Sequence, residues 1–400
     1  MTPEDFTKHP ALCALPWHGI YINPDGAVKN CAISAQTLGN IHDSQLPDIM
    51  NNVHNREIRQ DMLSKIKHAR CDSCYQVEHN SGSDNENESN RSWYKKVTLK
   101  HESDFDFFDR VDNFVPVVLD LRWRNTCNQA CVYCGPDLSS LWAEKVNHPF
   151  RINDQILTQS KEWIFSNLKS VKHVYLAGGE PLLIKENQRL LEKLLEEVPD
   201  VDIRINTNLS SIDNPIFRLL KKFANVKWTV SVDSKEELFE YMRWPGHWKT
   251  FLYNLKVLQS IVGDQINFNM VWCILNDIDI IDTIDCLIDQ GYHENMFVVQ
   301  CLTDPSPLSI LHLPISQKKD LQQQILDRQN RCNQDWWLYK SLCSMYNFLD
   351  RDLKEPRNIS FQGQQPLSSG LQGTFEYLKY IDKIQNKDSR NIFPRLYQHQ

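Results

Sequence analysis

The stretch 115–134, VPVVLDLRWRNTCNQACVYC, joins a strand-like apolar run to three closely spaced cysteines. The run VPVVLDLRW is rich in Val and Leu, and Cys127, Cys131 and Cys134 follow it. Three thiols therefore leave a loop at the C-terminal end of a strand, the end where barrel-like α/β enzymes carry their chemistry. Spaced C-x3-C-x2-C, they can hold a [4Fe–4S] cube by three corners and leave one iron open to a ligand. A structural zinc site wants a closed set of four ligands in paired short spacings, and no fourth partner is evident nearby.

Downstream of this stretch the pattern repeats. KHVYLAG, VDIRIN, VKWTVSVD, INFNMVWCIL and MFVVQCL read as strands, and between them NDQILTQSKEWIFSNLKS, KENQRLLEKLLEEV, NPIFRLLKKF, WKTFLYNLKVLQSIV and DIIDTIDCLIDQ show helical spacing of apolar residues. Such β-α alternation predicts a parallel sheet with helices outside, and right-handed crossovers leave a barrel-like or an open doubly wound arrangement. After about residue 306 only helices are expected, in LPISQKKDLQQQILDRQN, NQDWWLYKSLCSMYNFLDRDL and GTFEYLKYIDKIQN. Residues 80–92 are polar and read as a loop or linker.

Composition narrows the class. The 400 residues are 41% hydrophobic and carry a net charge of -7, enough for a large core and no attraction to phosphate backbones. Nucleic acid is therefore not the expected partner. No apolar run is long enough to span a bilayer and the start lacks a signal-peptide pattern, so a cytoplasmic protein without membrane partners is expected. In a reducing compartment its 12 cysteines serve metals or catalysis more readily than disulfides. Besides the triplet, Cys13, Cys31, Cys71 and Cys74 are grouped near the N-terminus.

With Tyr133 before its last cysteine, the triplet resembles the signature of the radical S-adenosylmethionine (SAM) superfamily. The resemblance implies a [4Fe–4S] cluster whose open iron chelates SAM, reductive cleavage of SAM to a 5'-deoxyadenosyl radical, and hydrogen abstraction from a substrate. It implies that Tyr133 packs near the adenine. Gly178, Gly179, Glu180 and Pro181 look like the family's GGEP motif, whose glycines let backbone approach a ligand. Asn208 falls in a turn similar to one at the end of the family's third strand, Ser231 and Asp233 end the fourth, and Arg243 falls where relatives pair an arginine with SAM's carboxylate.

The spacing C-x12-G-x4-C from Cys13 to Cys31, followed by Cys71-x2-Cys74, resembles the auxiliary-cluster modules called SPASM and twitch. Relatives with that module at the N-terminus are the ones this chain resembles. No cysteine lies at 78–91, so one auxiliary [4Fe–4S] cluster is expected, serving electron transfer, with a zinc ribbon as the alternative. The implied architecture is an N-terminal twitch-like module and linker over 1–92, a partial (βα)6 TIM-like barrel over 114–305, and a helical extension over 306–400. The implied protein is an oxidoreductase or related radical enzyme. Its substrate is a peptide or protein side chain, or a sugar or other small metabolite, and its electron donor a protein such as flavodoxin or ferredoxin. A metal-binding protein that keeps the fold without catalysis is the competing class.

Overall fold

A computed structural model describes residues 1–34, 36–80, 89–102, 104–149, 154–351 and 367–398. The chain divides into two compact units. The first comprises 1–126, 149–205 and 213–226, the second 127–148, 206–212 and 227–400.

In the first unit, β1 (Gly19–Ile22), β2 (Ala27–Lys29) and β3 (Gly39–Asn40) form a short antiparallel meander, and β1 then pairs in parallel with β4 (Val118–Leu121). β4 pairs in parallel with β5 (His173–Leu176), and β5 with β6 (Asp202–Thr207). Side chains alternate across such a sheet. Leu119, Val174 and Ile203 are fully buried, each contributing about 1.5–3 kcal/mol of transfer free energy. The helix Lys185–Glu197 buries Leu190, Leu191 and Leu194, one stripe at helical spacing.

In the second unit, β7 (Val226–Ser231), β8 (Ile266–Trp272) and β9 (Phe297–Cys301) pair in parallel, with the helices Trp248–Val262 and Asp279–Asp289 as crossovers. Helices Ile315–Gln329, Trp337–Phe348 and Gly370–Gln385 follow. All six strands expected from the β-α alternation are therefore present and parallel-paired. This is the α/β class, consistent with a partial (βα)6 TIM-like barrel. Among the described residues no helix is long and apolar enough to cross a membrane.

One expectation is corrected. The linker ends before residue 90, because Ser89 caps a helix over Asn90–His101 by accepting from the Ser92 amide at 3.0 Å. Residues 81–88 of that stretch lie outside the described residues.

Candidate metal centres

The four N-terminal cysteines come together in the first unit. Cys13 precedes the short helix Leu15–His18, Cys31 follows β2, Cys71 ends a 3-10 turn and Cys74 lies on the helix Asp72–Asn80. All four line one small cavity of about 20 Å³, with Leu15, Pro16 and Ile33 among its walls. Burial, reinforced by the neighbouring thiols, pushes Cys13 well up, Cys31 to about 11 and Cys71 to about 12. Thiols so placed keep their protons until a cation offsets the charge. Asn90 donates to the Cys31 sulfur at 3.8 Å, and the Arg91 guanidinium ties Glu78 to the Leu12 carbonyl.

The triplet lies on a loop of the second unit that is clamped by its backbone. Ala130 N–H donates to the Trp244 carbonyl at 2.6 Å and Val132 N–H to that of Met242 at 2.9 Å. Trp142 Nε1 donates to the Cys131 carbonyl at 2.9 Å, Ser139 Oγ to that of Gln129 at 2.6 Å and the Tyr377 hydroxyl to that of Val132 at 2.6 Å. Much of the loop's backbone is thus paired, and the three cysteines are half-buried. Burial, then the Cys131 sulfur, pushes Cys134 to about 12. Two donors reach the sulfurs: Asn208 Nδ2 lies 4.0 Å from Cys127 Sγ and Arg243 Nη1 lies 3.9 Å from Cys131 Sγ. Contacts of this kind stabilise thiolates and tune a cluster's potential.

Asp233 is fully buried and both its carboxylate oxygens are taken. Oδ1 accepts from the Val271 amide at 2.7 Å, and Oδ2 accepts from Arg243 Nε at 2.8 Å and from the Tyr133 hydroxyl. Arg243 Nη2 donates to the Tyr133 oxygen at 2.7 Å. Burial works against the guanidinium, yet Asp233 beside it holds the Arg243 pKa above its ordinary value. Two guanidinium nitrogens of Arg243 are thus engaged inside the protein and the third faces Cys131. Asn208 and Ser210 both bond Asn128, and these three line a cavity of about 160 Å³ with His247 and Thr250. Ser231 Oγ lies 3.4 Å from Asn206 Oδ1.

The GGEP turn belongs to the first unit. Gly178 has φ +112°, and a Cβ on Gly179 would stand 2.2 Å from the Thr126 carbonyl oxygen, so both positions require glycine. Glu180 N–H donates to that carbonyl at 2.7 Å. The Glu180 side chain is buried and caps the turn Pro181–Leu183 by accepting from Leu182 N–H at 3.1 Å. In this unit the motif docks the loop after β5 onto the segment leading out of β4.

The family model of the radical SAM superfamily matches residues 123–287, and an iron-sulfur cluster-binding domain model, SPASM, matches residues 13–75. Residues 123–287 thus carry a radical SAM domain. The two matches place a radical SAM region after a region similar to iron–sulfur cluster-binding domains. A GTP 3',8-cyclase of Sulfurovum sp. (strain NBC37-1) is 25% identical over 189 residues, covering 44% of this chain and 55% of the relative. That of Sulfurimonas denitrificans is 26% identical over 106 residues, covering 26% and 29%. The radical SAM chain thus spans about a third to about half the length of these curated relatives. Among solved structures, Streptococcus suis SuiB bound to S-adenosylmethionine gives a TM-score of 0.40 at 16% identity, covering 71% of this chain and 60% of that one. Native anSMEcpe with bound AdoMet and a peptide gives 0.39 at 15%, covering 53% and 59%.

Proposed function

We propose that this radical SAM protein reductively cleaves SAM at a [4Fe–4S] cluster held by Cys127, Cys131 and Cys134 and abstracts hydrogen from a peptide or protein side chain or a small metabolite. The observation that carries the reading is the clamped loop: several of its backbone groups are bonded to the surrounding protein, the three cysteines are half-buried, and Arg243 and Asn208 direct donors at two of the sulfurs. Bound there, the cluster and SAM supply a 5'-deoxyadenosyl radical. The chain's own residues hold the loop, keep Tyr133 and Asp233 fixed through Arg243, and line the adjoining cavity with amides and hydroxyls. Cys13, Cys31, Cys71 and Cys74 hold the auxiliary cluster, which passes electrons between the substrate and a donor such as flavodoxin or ferredoxin.

The test is anaerobic reconstitution followed by measurement of 5'-deoxyadenosine from SAM and a reductant. Wild-type protein is expected to form it, and Cys127→Ala, Cys131→Ala and Cys134→Ala each to lose it. A fully loaded wild type that makes none would favour a non-catalytic protein of the same fold.

A further inference from the structure

The register of the first unit's parallel strands puts Tyr21, Asp120, Tyr175 and Arg204 side by side in one row across β1, β4, β5 and β6. The residues one step away, Leu119, Val174 and Ile203, point to the opposite, buried apolar face. The row therefore forms a polar face of its own, and the strand-by-strand sequence hides it. Asp120 is 7% exposed and is consumed by Arg122, whose Nε lies 3.1 Å from Oδ1 and whose Nη2 lies 3.4 Å from Oδ2. Arg122 in turn rests on the Tyr21 ring, 4.8 Å from its centroid.

Arg204 is different. It is half-buried and lies over the Trp93 ring at 4.3 Å, yet no carboxylate comes within ion-pair distance of it among the described residues. The nearest candidate on its own strand face, Asp202, is occupied by Lys100 at 3.3 Å and His101 at 3.6 Å. Burial pulls the guanidinium's pKa down while Tyr94, Tyr175 and Asp202 act the other way; arginine keeps its proton and rests on the Trp93 face, with no direct ion pair among the described residues. A charge withdrawn from water without a counter-ion is costly, and an anionic ligand would offset that cost. Tyr94 and Tyr175 lie within electrostatic reach of Arg204, and burial holds both phenols protonated, as neutral donors. Cys31 and Asp120 also bear on Tyr94, so the row runs beside the N-terminal thiols.

We infer that Arg204, stacked on Trp93, is an oxyanion subsite that takes a carboxylate or phosphate group of the substrate in its guanidinium fork. The inference rests on the radical SAM reading and narrows its substrate to an anionic one. Planar guanidinium and planar or tetrahedral oxyanion match in bidentate fashion, and the indole holds the fork in orientation.

The experiment titrates the anaerobic, cluster-loaded full chain separately with inorganic phosphate, followed by phosphorus NMR line broadening, and with labelled acetate, followed by carbon NMR line broadening. Ionic strength is held constant with chloride. Saturable binding of one anion is expected, and whichever saturates lower identifies phosphate or carboxylate as the group recognised. Arg204→Gln is expected to weaken it about tenfold or more, and Arg204→Lys, which keeps the charge and loses the fork, by less. Equal binding by all three proteins, or no saturable binding to wild type, would overturn the subsite. Wild-type protein is assayed for 5'-deoxyadenosine in parallel. Anion binding without SAM cleavage would sink the radical reading and leave the subsite standing, and cleavage without anion binding would do the reverse.

Discussion

The Tyr377 hydroxyl donates to the Val132 carbonyl at 2.6 Å across a sequence separation of 245 residues. Val132 sits between Cys131 and Cys134, and Tyr377 lies on the helix Gly370–Gln385, so the C-terminal extension holds the cysteine loop directly. Removing the donor leaves a buried carbonyl unpaired, at a cost of about 1–3 kcal/mol. Tyr377→Phe is therefore expected to fold, to take up iron, and to lose its SAM-site cluster faster under a chelator. The decay of visible cluster absorbance checks this. A decay rate equal to wild type would make Tyr377 a packing residue and nothing more.

Arg243 and Asp233 make a second testable pair. Arg243→Met leaves the fully buried Asp233 carboxylate without its cation, and breaking a buried pair in this way costs about 3–5 kcal/mol. Replacing both, as Asp233→Leu with Arg243→Met, removes the unpaired charge and should recover much of that loss. Urea unfolding of the single and double variants measures the coupling. If the single and double variants are equally unstable, the pair is not what organises this corner.

His18 gives a pH signature. It is 2% exposed, its Nδ1 donates to the Val115 carbonyl at 3.0 Å, and Nε2 lies 3.6 Å from a Glu102 oxygen. Burial is the main cause that drops its pKa to about 4, outweighing the lift from Val115 and Glu102, while Arg59 also lowers it. The unfolded chain takes up this proton near pH 6.5 and the folded chain only near 4. Between those values the unfolded state binds more protons, so stability is present above about 6.5 and lost as pH falls through about 4. The size is on the order of 3 kcal/mol. His18→Phe should flatten the urea-midpoint profile in this window, and an unchanged acid limb would assign the loss to other groups.

How much of this was legible in the sequence depends on which residues are asked about. The six strands could be read because runs such as VKWTVSVD and INFNMVWCIL are dense in β-branched and aromatic residues. The strands β1 to β3 were missed because each has four residues or fewer, too short for any period to show. The triplet and GGEP were visible as local spacings. Arg243 was found through the family resemblance, but its partners were not, since an ion pair is a property of packing. Arg204, Asp120 and Tyr175 each look like one polar residue in an alternating strand, and only the register sets them in one row. Tyr377 carried no signal at all, because its partner lies at the other end of the second unit's sequence.

The N-terminal thiols separate a cluster from zinc. Cys71 and Cys74 lie three residues apart across the start of one helix and share a cavity with Cys13 and Cys31. With an auxiliary cluster at this site, Cys71→Ala together with Cys74→Ala should lower iron by about four per chain, on the assumption of a cube, while the triplet's cluster remains. Substrate-derived product should fall more than 5'-deoxyadenosine made with a strong chemical reductant, because the route for an electron from the substrate radical is cut. A zinc ribbon gives a different pattern: reconstituted wild type would hold about four irons and one zinc, and the double variant would lose the zinc along with local folding. Metal analysis with Mössbauer spectroscopy distinguishes them. Stoichiometric zinc in the wild type would overturn the cluster assignment.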